Sequence, residues 1–188
     1  NEFPRLDLRA GAVIDGENGG FVGIDGANAP PDQPGTVIMG GVFQHFGNES
    51  APSWVSPAIV GRNGVVVGTE FKDNFNAGLA IHGDAARVSR IHTHHNGRYG
   101  LVVTPACDGC PGPTGVVIEH SEIAFNNTRQ LSIAADAGGT KFSGGTREMI
   151  VRYNNVHDNY GMGLWWDTSS ESAKVYGNRI HDNRNSGI

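Results

Sequence analysis

A short phrase recurs along this chain, and a phrase that returns coil after coil, even at uneven steps, leaves few folds open. It is clearest in "NNVHDN" (154–159) and "NRIHDN" (178–183), where an apolar anchor, Val156 or Ile180, is followed three residues on by Asn159 or Asn183. The same phrase aligns on Phe71, Ile91 and Ile123, with Asn74 and Asn126 in the third place. In the Ile91 section a longer turn, "HTHHNGRYG", displaces the asparagine to Asn96. Two residues before the anchors stand Thr69, Ser89, Ser121, Asn154 and Asn178, so both columns are small and polar.

A third column, Gly78, Gly100, Gln130, Gly163 and Gly187, precedes an apolar alternation: Leu79 and Ile81, Leu101 and Val103, Leu131 and Ile133, Leu164 and Trp166. A period of two predicts strands. Steps between anchors are 20, 32, 33 and 24 residues, and the extra length is read as following the glycine-led strand, in "TPACDGCPGPT" and "AADAGGTKFSGGT". Short strands punctuated by Asn, Gly and Ser cannot bury an apolar face alone and must stack on copies of themselves. Rungs about 4.8 Å apart would then line up like residues in ladders. Asn is expected both to ladder and to take the left-handed backbone of tight corners.

These motifs resemble the right-handed parallel β-helix of pectin-lyase-like proteins, strongly over 64–188. Over 5–61 the resemblance rests on "LRAGAVIDG" (8–16), which looks like an opening coil, and "GTVIMGGVFQHF" (35–46), which looks like an early rung. It implies an all-β solenoid of about six to seven coils. Residues 1–188 would form a single domain, with initial coils over 5–61 and regular coils over 64–188. The sequence stops at Ile188, the first apolar residue of a strand, where a complete solenoid would carry a cap. It therefore reads as a fragment truncated at its C-terminal end, with an open end prone to association, cut from a parent expected to be monomeric.

Charge offers a check on register. Glu70, Arg90 and Glu122 precede the anchors by one residue, and Arg87, Glu119 and Arg152 by four, with signs alternating in both columns. Opposite charges on adjacent strands attract, so Arg90 is expected to face Glu122.

Composition narrows the function classes. The 28 glycines are about twice ordinary usage and suit a turn-rich chain. A net charge of −5 with no basic run argues against a nucleic-acid partner. No apolar run approaches the roughly 18 residues of a membrane span. A secreted location follows from the family resemblance and the cysteine loop, since no signal peptide is visible.

The glycine-led strands would present Ala80, Val102, Ser132 and Trp165 outward in one column, and His82, Thr104, Ala134 and Asp167 in the next. The insertions would wall this face, and the resemblance implies that such a groove holds a polysaccharide. Trp165 could stack on a sugar ring, with His82 and Ser132 as neighbouring substrate contacts. Asp136 and Asp167 suit the acid and base of a glycoside hydrolase, or Ca²⁺ ligands, or plain turn formers. Lys141, read in a glycine-rich loop, would be the base or enolate-stabilising cation of a uronate lyase, with Arg147 as a second cation. "GGTKF" followed a coil later by "GLWWD" is similar to secreted bacterial β-helix proteins.

Cys107 and Cys110 read as a local disulfide, because Pro111 and Pro113 follow where a redox C-x-x-C would open a helix. His92 and His94 alternate as a metal pair would, but the second half of such a site is missing from the sequence; His157 and His181 read as repeat decoration. The chain is thus expected to be a secreted carbohydrate-active protein, a lyase or hydrolase on an acidic polysaccharide. The alternative is a non-catalytic binding or adhesive module. No organic cofactor is assigned, and Ca²⁺ stays open.

Overall fold

The computed structural model describes residues 5–20, 23–26, 35–51, 55–132 and 137–188. Every strand pair in it is parallel, and the chain winds as a β-helix whose coils have three faces. The first face stacks the opening halves of β1 (Arg5–Asp15) and β3 (Val37–Gln44) with β5 (Val65–Val67), β8 (Arg87–Ser89), β11 (Val117–Glu119), β14 (Ile150–Arg152) and β16 (Lys174–Tyr176). The second stacks the closing halves of β1 and β3 with β6 (Glu70–Lys72), β9 (His92–His94), β12 (Glu122–Ala124), β15 (Asn155–His157) and β17 (Arg179–His181). The third holds β2 (Ile24–Asp25), β4 (Ala58–Val60), β7 (Ala77–Ile81), β10 (Tyr99–Val103) and β13 (Gly138–Phe142). Among the described residues no helix is long and apolar enough to cross a membrane.

Most strands of the first two faces are three residues long, with the middle residue pointing inward. Val66, Val88, Ile118 and Val151 fill the core from the first face, and Phe43, Phe71, Ile123 and Val156 from the second, all fully buried. β-Branched and aromatic side chains pack well on a pleated surface, which explains their use here. The third face adds Leu79, Ile81, Leu101, Val103, Phe142 and Leu164.

Asparagines stitch the coils together. Nδ2 of Asn74 donates to Oδ1 of Asn96 at 2.9 Å, Asn96 to Asn126 at 2.9 Å, Asn126 to Asn159 at 3.0 Å and Asn159 to Asn183 at 2.9 Å. Each Oδ1 also accepts the backbone N–H of the preceding asparagine, at 3.1–3.2 Å. Each Nδ2 donates as well to the carbonyl of the previous anchor, for example Asn126 to Thr93 at 3.1 Å. A shorter ladder runs through Ser121, Asn154 and Asn178 at the opposite corner of the second face.

The sequence alignment slips in one coil. Thr93, not Ile91, lies across from Phe71 and Ile123. A buried polar anchor is tolerated because its hydroxyl donates to the Gly100 carbonyl at 2.8 Å and accepts from Asn96 at 3.1 Å. Asn96 then stands three residues past its anchor like the others, and no longer turn is needed. Ile91 moves to the column of Thr69 and Ser121, where its N–H donates to Ser121 Oγ.

The charge columns change accordingly. Glu122 faces His92, Arg87 faces Val117, and the Arg90 N–H bonds the Glu119 carbonyl. Of the expected alternation, Glu119 and Arg152 remain an adjacent ion pair, at 2.6 Å.

The corners also differ from expectation. The ladder asparagines are not left-handed; the residue before each one is, at Asp73, His95, Phe125, Asp158 and Asp182. A second left-handed column, Gly68, Arg90, His120, Tyr153 and Gly177, turns the chain between the first two faces. Each non-glycine member costs roughly 1–2 kcal/mol, which the stacked hydrogen bonds offset.

Gly139 takes the glycine-column place expected for Gln130, since Tyr99 and Leu101 pair with Gly138 and Thr140. A Cβ at Gly139 would sit 2.9 Å from Asn159 Nδ2, and one at Gly100 would sit 2.6 Å from Asn126 Nδ2. The column is glycine because the asparagine ladder lies against it. "GGTKF" is therefore strand β13, and the extra residues of this coil precede the strand instead of following it.

Gly100→Ala should lower stability by roughly 2–3 kcal/mol through overpacking on the ladder. Gly19→Ala, with nothing within 4 Å of its added Cβ, should be near neutral; urea denaturation of both variants checks this.

Candidate functional site

The outward side of the third face, together with the loop that follows β10, forms a cleft of about 880 Å³. Its wall is the Pro105–Cys110 loop, closed on itself by a disulfide between Cys107 and Cys110 and by a Cys110 N–H to Cys107 carbonyl bond at 3.1 Å. Its floor comes from Asp25, Ile59 and Lys141 on the strands and from His82, Thr104 and Asp167 just past the strand positions of the same face. The loop lies over this face because β10 ends under it, as the position of the first insertion implied.

Lys141 sits on β13 beside Val102, in the outward column expected to hold Ser132. Ser132 lies exposed outside the strands, and Ser143 lines the cleft instead. Asp136 and Ala134 fall outside the described residues.

The Lys141 ammonium is 3.1 Å from Asp167 Oδ2 and 4.4 Å above the Trp165 ring. Trp165 therefore supports Lys141 from behind with a cation–π contact, and it is not among the residues lining the cleft. The platform expected from the sequence is occupied by a side chain of the protein itself.

Asp167 is held from both sides, since its Oδ1 accepts the Thr168 N–H at 2.8 Å. Partial burial raises its carboxyl pKa, but the Lys141 and Thr168 hydrogen bonds outweigh that, and the net shift is downward. A Ca²⁺ ion on Asp167 would have to displace Lys141. Tyr99 is buried near the same ammonium. Burial pushes its phenol pKa upward, opposed by the Lys141 and Arg98 charges. Its only sequence signal is its place at the head of the strand of Leu101.

His82 Nδ1 lies 3.0 Å from the Thr104 carbonyl and 3.1 Å from that of Pro105. Carbonyls only accept, so Nδ1 carries the proton and Nε2 of a neutral ring is left as an acceptor. Arg147 is not part of this cleft. Its backbone bridges Thr114 and Glu171, and its guanidinium pairs with Glu171 at 2.9 Å, both side chains well exposed.

Because the folded-state pKa of Asp167 is lowered, its stabilising contribution is present above the ordinary aspartate value and lost as pH falls through the lowered one. The melting-temperature gap between wild type and Asp167→Asn should hold steady down to about pH 4 and close below it. Thermal melts across that range check this; a gap that closes near neutrality would remove the ion pair from the account.

Comparison with known proteins places the fold. The family profile described as "right handed beta helix region" matches residues 63–188. No curated protein matches the chain. A solved structure described as "the complex structure of XylC with xylose" is 13% identical with a TM-score of 0.54, over 79% of this chain and 30% of that one. That likeness is one of fold, and this chain spans under a third of that protein's length. With the profile covering most of its coils, the chain belongs to the right-handed β-helix family.

Proposed function

We propose that the cleft binds a neutral carbohydrate chain. The observation that carries this is the Lys141–Asp167 pair on the cleft floor, at 3.1 Å. An ammonium beside a carboxylate offers a donor and an acceptor at the spacing of neighbouring sugar hydroxyls, and His82 Nε2 adds a further acceptor. The β-helix protein described in complex with xylose, a neutral sugar, is compatible with this ligand class.

Charge bears on the choice between neutral and acidic sugars. Asp25, Asp108 and Asp167 line the cleft against the single cation Lys141, so its described lining carries net negative charge. Such a lining repels a polyuronate, which moves the reading from the acidic polymer expected at first to a neutral one. To act as the base of a lyase Lys141 would also have to give up its pairing with Asp167.

Glycoside hydrolysis needs two carboxyl groups about 5–10 Å apart. Asp25 stands five rungs from the Trp165 level through Ile59, Ala80, Val102 and Lys141. At about 4.8 Å per rung that is roughly 24 Å, too far for a pair with Asp167. Asp25 is therefore not the partner of Asp167 in such a pair, and the proposal is confined to binding.

Calorimetric titration with neutral xylo-oligosaccharides should show saturable binding, weakened about tenfold or more by Lys141→Ala and unchanged by Arg147→Ala. No saturable heat, or binding indifferent to Lys141, would overturn the proposal. Tighter binding of oligogalacturonate would restore the acidic-polymer reading.

A further inference from the structure

On the second face of the solenoid, away from the cleft, strands β6 and β9 bring together three side chains with donor atoms of different character. Glu70 of β6, and His92 and His94 of β9, each offer one ligand atom, and these atoms lie within 4.8 Å of one another. From this geometry we infer a binding site for a divalent transition-metal ion of the Zn²⁺ class, held by Glu70, His92 and His94 and bridging two rungs.

The placement follows from register. His92 and His94 flank the inward Thr93, so both rings project outward from one three-residue strand. Glu70 is the direct partner of His92 on the neighbouring rung. Its Oε1 already lies 2.9 Å from His94 Nε2, and the two imidazole rings are 4.0 Å apart between centroids. Only a small opening would let one ion replace the Glu70–His94 hydrogen bond, since ligand atoms sit about 2.0–2.2 Å from Zn²⁺.

The surroundings suit metal ligation. His94 Nδ1 is 2.7 Å from His95 Nδ1, so His95 can accept the Nδ1 proton and leave Nε2 of His94 to the metal. A ligating imidazole whose other nitrogen is anchored in this way is the usual arrangement. Glu122, with Oε2 3.4 Å from His92 Nε2, is the adjacent carboxylate for a fourth position. It is shared with His157, whose Nε2 lies 3.0 Å from Oε1.

Lys72, 3.6 Å from Glu70 Oε1, is the competing cation and must swing aside. Two imidazoles and one or two carboxylates favour a borderline transition ion over the oxygen-loving Ca²⁺ or Mg²⁺.

The test is calorimetric titration of the chelator-treated chain with ZnCl₂, read alongside its melting temperature. One Zn²⁺ per chain should bind and raise the melting temperature. His92→Asn and Glu70→Gln should each weaken binding about tenfold or more. Both variants should keep the wild-type circular dichroism and metal-free melting temperature, which separates lost ligation from lost folding. His181→Asn, remote on β17, should bind as wild type. The inference is overturned if no stoichiometric Zn²⁺ binds, if His92→Asn combined with Glu70→Gln leaves binding unchanged, or if Ca²⁺ binds more tightly than Zn²⁺.

Discussion

The amide ladder Asn74–Asn96–Asn126–Asn159–Asn183 is the interaction on which the rest of the structure depends. The carboxamides of Asn74, Asn96, Asn126 and Asn159 are buried and that of Asn183 is partly so, and a buried amide without partners would cost several kcal/mol. Here each interior member gives both Nδ2 protons and receives two bonds on Oδ1, so a costly group becomes a coil-to-coil clamp. The ladder also forces the glycine column beside it, and it holds the left-handed residue that precedes each asparagine.

From that clamp the position of the cleft follows. The third face follows the ladder corner, directly after Asn74 and Asn96 and after an insertion in the Asn126 coil, with the glycines at its entry. Fixing the glycine of each coil fixes which residues of the next strand point out. Lys141 is two residues past Gly139, as Val102 is past Gly100 and Trp165 past Gly163, and so these stack in one outward column. The Lys141–Asp167 pair is a contact between adjacent coils, created by rung stacking and not by closeness in sequence. The same logic sets Glu70 beside His92 and His94 on another face.

Much of this architecture was legible because the repeated columns are dictated by the ladder. The asparagine column, the glycine column and the period-two strands all read from spacing alone. Two coils misled for identifiable reasons. In one, an apolar Ile91 lies two residues before a buried Thr93, and hydrophobicity pointed to the wrong anchor; the compensating Gly100 carbonyl is not visible in sequence. In the other, Leu131 mimics a strand start, whereas the steric demand of Asn159 selects Gly139.

Site residues were legible only as far as register was. His82, Asp167 and the cysteine loop fall where the columns put them, on the cleft. Glycine-rich flanks suggest a loop for Lys141, which lies in a strand, and the period-two spacing suggests a strand for Ser132, which lies outside one. Trp165 shows a limit of column logic: an outward position does not reveal that a neighbouring lysine covers the ring. The third metal-ligating group, Glu70, was missed because the two-residue slip set it opposite Arg90 instead of His92.

The ladder itself can be read directly by hydrogen exchange at the side-chain carboxamides, followed by NMR. Nδ2 protons of Asn96, Asn126 and Asn159 should exchange orders of magnitude more slowly than those of the exposed Asn63, with protection at the level of the core strands. Exchange at the Asn63 rate would mean that the amides are not stacked and that the coils are held by the apolar core alone.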